Sequence, residues 1–398
     1  MTASVRTSRR QARRSGEPIR QWQFDQTLVL AALGLIAVGI IMVASTSVAV
    51  AEKYAVGEWH FLSRHLMFIS FGLVLAAGCH LIKSEWLERY GHWCLLASLV
   101  LLALVFIPGL GHKVNGATRW INLGLFRFQA VEAVKLLMIV FVAGYLARRP
   151  TLGRTGFMET FKPILIGGLI AAILLQQPDM GSAVVIMAII GGMVWLAGAA
   201  WRYLALLGLS ALPLLTFAAL EPYRLRRIAI LGDPFSDPFN AGFQLVQAQI
   251  AIGRGQISGV GIGESVQKLF YLPEAHTDFI FAILAEELGL IGIVLVLSLF
   301  AVLVVRIFRI GLKAQRAERH FASFTCYGIG LWIGLQALIS MGVNLSLLPT
   351  KGLTLPLVSA GGSSLMMTML ALGLVLKIGL ELDQAQLARP RKRREWAA

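Results

Sequence analysis

Long apolar runs separated by short polar connectors dominate the chain, and their length is that of a bilayer crossing. A membrane-spanning helix needs roughly 17 to 25 mostly apolar residues, and Thr27 to Val48, Trp93 to Leu110, and Ile291 to Val305 with its flanks meet or approach that. Hydrophobic residues fill 57% of the 398 positions and charged ones only 14%, more apolar surface than one or two soluble cores could enclose. A transmembrane barrel would show alternating strands of about ten residues, a pattern missing here. The expected fold is all-α: a polytopic transmembrane helical protein of about ten spans, near 26–50, 60–82, 91–111, 129–147, 162–177, 180–198, 203–220, 277–305, 321–345 and 353–378.

Charge placement supports that count. Of the 36 Lys and Arg, 24 fall in the tails and alternate loops that ten spans put on one side, which the positive-inside rule makes cytoplasmic. Residues 1–25 read as a basic, disordered cytoplasmic tail, 26–380 as the transmembrane domain, 221–276 as a long extracellular loop between the seventh and eighth spans, and 381–398 as a second basic cytoplasmic tail. The net charge of +15 thus speaks to topology, and no nucleic-acid partner is expected. Cys79, Cys94 and Cys326 all lie in apolar runs, so no disulfide or metal framework follows. The first apolar run is too long for a signal-peptide core and reads as a retained anchor.

Polar groups inside such a chain need a reason. The first outer loop, 111–128, carries Lys113, Arg119 and Arg127 beside Trp120, Phe126 and Phe128. Aromatic belts and snorkelling cations are ordinary at interfaces, but these cations run against the positive-inside trend, which favours an anion clamp. Glu132 and Lys135 form an i,i+3 pair just inside the fourth span, a structural ion pair or a cavity pair. The long loop is basic through Arg224, Arg226, Arg227, Arg254 and Lys268 and contains a candidate surface helix at Phe243 to Ile252. A basic outer surface against the membrane suits a lipid diphosphate or another anionic lipid-linked substrate. Its GRGQISGVGIG run has no preceding strand and is no dinucleotide fold. The segment 344–364 mixes Gly, Pro and Ser with Leu and reads as re-entrant.

Ionisable groups are densest in YLPEAHTDFIFAILAEELGLIG, 271–292. Asp278 sits at the outer mouth of the eighth span, as an N-cap acid, a catalytic group, or both. Glu286 and Glu287 lie two or more helical turns deeper, so one catalytic carboxylate is expected rather than a pair, with the two glutamates serving as polar contacts between helices.

QKLFY followed by LPEAHTDFIFAILAEELG resembles the signature of the SEDS family (shape, elongation, division and sporulation) of polytopic peptidoglycan polymerases. NGATRW at 115–120, PDMGSA at 178–183, DPFSDPFNAGFQLVQ, and LLPTKGLTLPLVSAGGSS at 347–364 match in order. The resemblance implies glycosyl transfer: lipid II, a disaccharide-pentapeptide on undecaprenyl diphosphate, is polymerised into β-1,4 glycan at the outer face of the bacterial cytoplasmic membrane. It implies that Asp278 is the catalytic base, and that Arg119, Glu132, Lys135, Asp179, His276, Thr277 and Lys351 bind substrate or support the site. It further implies a class B penicillin-binding protein transpeptidase and other divisome proteins as partners beside membrane lipids, and a divalent cation, Mg or Mn, assisting the diphosphate; no three- or four-ligand cluster is visible in the sequence. EAHTDF, with Ala275, points to the division branch rather than the elongation branch. A transporter of lipid-linked substrate and a divisome scaffold are the competing readings. Two departures stand out: QAVE at 129–132 where the family commonly has QPSE, and Ala360 where it has Tyr.

Overall fold

The computed structural model describes residues 25–388 apart from 54–56, 58, 115–116, 123, 125, 150–156, 210–224, 226, 228, 241, 270 and 351. Its helices are α1 (Gln26–Lys53), α2 (His60–Gly78), α3 (Ser84–Leu104), α4 (Ala130–Ala147), α5 (Phe157–Gln176), α6 (Met180–Leu196), α7 (Phe243–Gly255), α8 (Ile280–Arg316), α9 (His320–Asn344) and α10 (Gly362–Ala388). Eight described helices, all but α6 and α7, are long and apolar enough to cross a membrane, and α6 is a shorter apolar helix. The seventh expected span begins as helix at 201–209, and its remainder lies outside the described residues. Both tails, but for Asp25 and 381–388, also lie outside them.

Several boundaries differ from expectation for local reasons. The third span is Ser84–Leu104 rather than 91–111, because Glu85 in its first turn suits the positive helix end and Pro108 with Gly109 (φ 91°) cannot extend it. The tenth begins at Gly362 rather than 353, since Pro356 and Gly361 interrupt the run. The fifth and sixth stay separate: Asp179 caps α6 by accepting from the Ser182 amide at 3.2 Å, and α5 and α6 pack together. The fold is also not purely helical. The segment expected as the first outer loop forms a three-stranded antiparallel sheet, β1 (Gly111–Val114), β2 (Ala117–Asn122) and β3 (Arg127–Gln129), in the order β1-β2-β3.

The centre of the bundle is α4, α9 and α10, apolar on nearly every face and buried accordingly. Helix α4 packs against α3, α6, α9 and α10, while α2 and α3 lie outside with Phe71, Val74, Trp86 and Trp93 exposed as lipid-facing side chains. Arg306 pairs with Asp25 at 2.6 Å at the end of the bundle from which both tails leave. Asp278 and the sheet lie at the other end.

Helix α8 is broken at Gly289, whose φ of 62° and ψ of −158° only glycine adopts readily. The backbone groups released by the break are taken up by the long loop. The Val260 and Gly261 amides donate to the Glu286 and Glu287 carbonyls at 3.0 and 3.1 Å, and the Leu290 and Ile291 amides donate to the Gln256 and Ile257 carbonyls at 2.9 and 3.2 Å. A broken helix at membrane depth is tolerated only when neighbouring protein satisfies it in this way. Helix α7 matches the helix expected at 243–252 but packs along α8, with the Gly255 Cα against the Ala285 carbonyl, so it is a bundle element rather than a surface float.

The segment 345–361 returns to the end it left. The Thr354 carbonyl accepts from Gln336 Nε2 at 3.0 Å, and Gln336 lies eight residues before the end of α9, about 12 Å along a helix. The expected re-entrant segment is thus present as irregular backbone buried in protein, its Leu355, Leu357 and Val358 enclosed.

Candidate active site

Each wall of the site comes from a different element. Beta strand β2 supplies Arg119: the register passes from His112–Trp120 to Lys113–Thr118, so Arg119 has no residue opposite it. Such a bulge re-aims a side chain, and this one points toward the start of α6. There Arg119 Nε donates to the Gln177 carbonyl at 3.3 Å, its terminal nitrogens meet the Pro178 carbonyl, and it lies 3.9 Å from Asp179. The guanidinium is thus fixed by three partners on one turn.

Asp278 comes from the chain just before α8. Its side chain caps nothing: the N-cap residue of that helix is Phe279, and the Asp278 carboxylate accepts no amide of the first turn. Its backbone is held instead. Asn344 Nδ2 donates to the Asp278 carbonyl and Asn344 Oδ1 accepts from the Ala282 amide, both at 3.0 Å. Ser359 Oγ donates to the Thr277 carbonyl at 2.6 Å, and the Ala360 amide to the His276 carbonyl at 3.0 Å. His276, Thr277 and Asp278 are therefore clamped from α9 and from the re-entrant segment, leaving the Asp278 carboxylate free of hydrogen bonds among the described residues.

That carboxylate faces Gly352. A Cβ at this glycine would sit 3.2 Å from Asp278 Oδ2 and 4.0 Å from an Arg119 terminal nitrogen, so the missing side chain keeps the recess open. Arg227 forms the far side, donating to the Thr350 carbonyl at 2.6 Å. Burial and the neighbouring Glu274 push the Asp278 carboxyl up to about 7, with Asp179 adding to the rise and Arg119 and Arg227 opposing it. A carboxylate poised near neutrality beside two arginines can accept a proton while the cations hold an anion.

Asp278, Arg119 and Asp179, predicted from sequence, therefore come together. His276 and Thr277 flank them: the His276 ring lies against Phe61 at 5.7 Å between centroids, its imidazole held below the usual range by burial with Glu274 opposing, and Thr277 Oγ1 donates to Glu274 at 2.9 Å. Lys351 lies outside the described residues, though both its neighbours border the recess. Glu132 and Lys135 are a separate buried unit. Lys135 Nζ bonds Glu132 at 2.8 Å and Gln336 at 2.6 Å and sits 5.1 Å over the Trp332 ring, while Gln336 reaches Thr354 beneath the recess. Gly352, Asn344 and Ser359 were not singled out from sequence as site residues, and Arg227 was one of several loop cations. Their signal is spatial, since they enter from elements far apart in the chain.

Glu286 and Glu287 face away from this recess. Glu286 accepts from Ser265 Oγ, the Val266 amide and Arg254, and Glu287 binds Ser45 Oγ at 2.6 Å and Lys268 at 3.0 Å. Glu287 does join α8 to α1, as expected, whereas Glu286 anchors the outer loop. Among the described residues no group of three or more His, Cys, Asp or Glu could hold a metal ion, so the expected divalent cation meets no such cluster there.

A helical bundle of membrane-crossing length, with a carboxylate and two arginines in a recess at the end opposite its tails, defines a polytopic membrane protein. A family model described as cell cycle protein, FtsW/RodA/SpoVE, matches residues 25–384, and the chain belongs to that family. It is 45% identical over 377 residues to the probable peptidoglycan glycosyltransferase FtsW of Xanthomonas oryzae pv. oryzae, covering 94% of this chain and 77% of that protein. It is 48% identical over 377 residues to the FtsW of Alkalilimnicola ehrlichii, covering 94% of both. Among solved structures it resembles a chain of a peptidoglycan synthase complex that coordinates polymerization and crosslinking, with TM-score 0.73, 33% identity, and 91% and 99% coverage. It also resembles the rod shape determining protein RodA of Thermus thermophilus, with TM-score 0.66, 29% identity, and 89% and 96% coverage.

Proposed function

We propose that this chain is a peptidoglycan glycosyltransferase of the division type, which polymerises lipid II into β-1,4 glycan at the outer face of the bacterial cytoplasmic membrane. The observation that carries the mechanism is the Asp278 carboxylate, free of hydrogen bonds among the described residues and raised to about 7 beside Arg119 and Arg227. As base it takes the proton of the acceptor 4-hydroxyl while that oxygen bonds to the anomeric carbon of the donor. The bond from that carbon to the diphosphate breaks, and the undecaprenyl diphosphate leaves with the electron pair. A diphosphate needs charge stabilisation and no general acid. Arg119 and Arg227 supply it, and the family resemblance adds Lys351 as a third cation. Asp179 holds Arg119 in place, His276 and Thr277 shape the rim, and Glu132 with Lys135 stiffens the floor through Gln336.

The likeness to the synthase complex supports a transpeptidase partner, of the class B penicillin-binding type, and work at the division septum alongside other divisome proteins. The basic tails and the cations at their end of the bundle support cytoplasmic termini. A transporter would need its buried ionisable groups along a pathway; the bonding of Glu286 and Glu287 to the outer loop and α1 favours the polymerase.

Purified full-length protein, with and without the transpeptidase, is incubated with lipid II and its products sized. Wild type is expected to make glycan chains and Asp278→Asn to lose at least about a hundredfold in rate, the usual scale for a general base. Undiminished polymer from the variant would refute the base assignment.

A further inference from the structure

Two cavities lie at the tail-bearing end, far from Asp278. One of about 560 Å³ opens between the start of α1, the last third of α8 and the end of α10, and a second of about 490 Å³ adjoins it between α8 and α10. Arg309 and Lys313 line both, so the two form one groove. Arg306, Arg316 and Arg319 complete its charge, and among the described residues the acids lining it are Asp25 and Asp383.

Those acids are already taken. Asp25 is bound by Arg306 through both carboxylate oxygens, and Asp383 by Lys313. Arg319 has only a long 3.9 Å contact to Glu381. Arg309 and Arg316 have no hydrogen-bond or ion-pair partner among the described residues, and both are exposed. They are seven residues apart on α8, nearly two full turns, so they project from one face. Leu312, 42% exposed, stands between them and faces outward, with Leu376 and Leu382 on the opposite wall. Topology requires cations at this end, but it requires neither a groove nor two guanidinium groups left unpaired within it. Two exposed, unpaired guanidinium groups at the rim of a groove, with an exposed leucine between them, fit an amphiphile whose phosphate meets the cations and whose acyl chains stay in the bilayer.

We propose that the groove between α1, α8 and α10 binds the headgroup of an anionic phospholipid, with Arg309 and Arg316 gripping the phosphate. This site is distinct from the recess at Asp278 and stands whether or not that recess polymerises glycan.

The test is native mass spectrometry of the full-length protein in detergent with phosphatidylglycerol, phosphatidylcholine or a polyprenyl phosphate added. Wild type is expected to retain phosphatidylglycerol about thirtyfold better than phosphatidylcholine, the scale of two cations at a lipid surface. Arg309→Gln with Arg316→Gln is expected to lose that preference, while Arg309→Lys with Arg316→Lys keeps most of it. Equal unfolding temperatures in detergent without added lipid separate loss of binding from loss of fold, and should the glutamine pair unfold early, the single Arg316→Gln is read instead. Equal phosphatidylglycerol retention by wild type and the glutamine variants would overturn the proposal. So would retention of polyprenyl phosphate alone, which would make the groove a carrier-lipid site.

Discussion

Asn344 grips Asp278 by its backbone and leaves its carboxylate alone. One side-chain amide, at the last residue of α9, donates to the Asp278 carbonyl and accepts from the Ala282 amide, both at 3.0 Å. The group that holds the aspartate in place thereby neither neutralises nor bonds its carboxylate oxygens.

Replacing Asn344 with Leu is expected to strand both backbone groups, at a cost of about 1 to 3 kcal/mol each where they are buried. Turnover should fall about tenfold or more with little change in the lipid II concentration needed for half-maximal rate, because a small displacement of a reacting group costs rate. Steady-state polymerisation with a detergent melting curve checks both. An unchanged turnover number would mean that Ser359 and Ala360 suffice as the clamp.

A base that titrates near 7 must lose its proton to act, so the rate should fall as pH drops through about 7. Glu274 raises that value and Arg119 lowers it. Glu274→Gln should therefore move the acid limb of the pH profile to lower pH, and Arg119→Gln should move it higher while also weakening the reaction. Profiles of rate against pH for the three proteins test the signs, and a common midpoint would contradict the electrostatic account.

Lys135 is fully enclosed and touches Glu132, Gln336 and the Trp332 ring. Lys135→Met or Glu132→Gln alone leaves a buried partner uncompensated, a loss of about 3 to 5 kcal/mol in comparable sites. The double variant is expected to be more stable than the Lys135→Met single, since no naked charge remains. Melting temperatures of the four proteins in one double-mutant cycle decide this.

Gly289→Ala is expected to prevent the outer loop from docking. The added methyl group would lie 2.5 Å from the Ile257 carbonyl oxygen, in a backbone conformation that side chains rarely adopt. Faster proteolysis in the 256–263 segment, read by mass spectrometry, is the expected outcome; an unchanged cleavage pattern would show that the break survives without glycine.

The spans were legible because bilayer length and apolarity leave little choice, and the tight turn between α5 and α6 was legible through the Pro178–Asp179 pair. The sheet was not, since short strands that are half exposed carry little periodic signal, and its function rests on a bulge at Arg119 that no pattern announces. Asp278 could be found as an acid beside a long apolar run. Gly352 could not, because its role is to withhold a side chain from a neighbour more than seventy residues away in sequence. The break in α8 escaped notice because FAILAEELGLIG reads as one continuous helix, and only the loop's approach reveals why Gly289 departs from it.

That approach has a consequence for how the molecule can be re-engineered. Four amides and carbonyls of α8 are completed by residues 256–261, so the loop and the helix are inherited as one unit, like the two halves of a zip. A chimera that imports a relative's outer loop will work only if its junctions fall outside 256–291, carrying both partners across together. A junction between residues 262 and 279 would splice a foreign loop to a native helix break and leave polar backbone facing an apolar bundle.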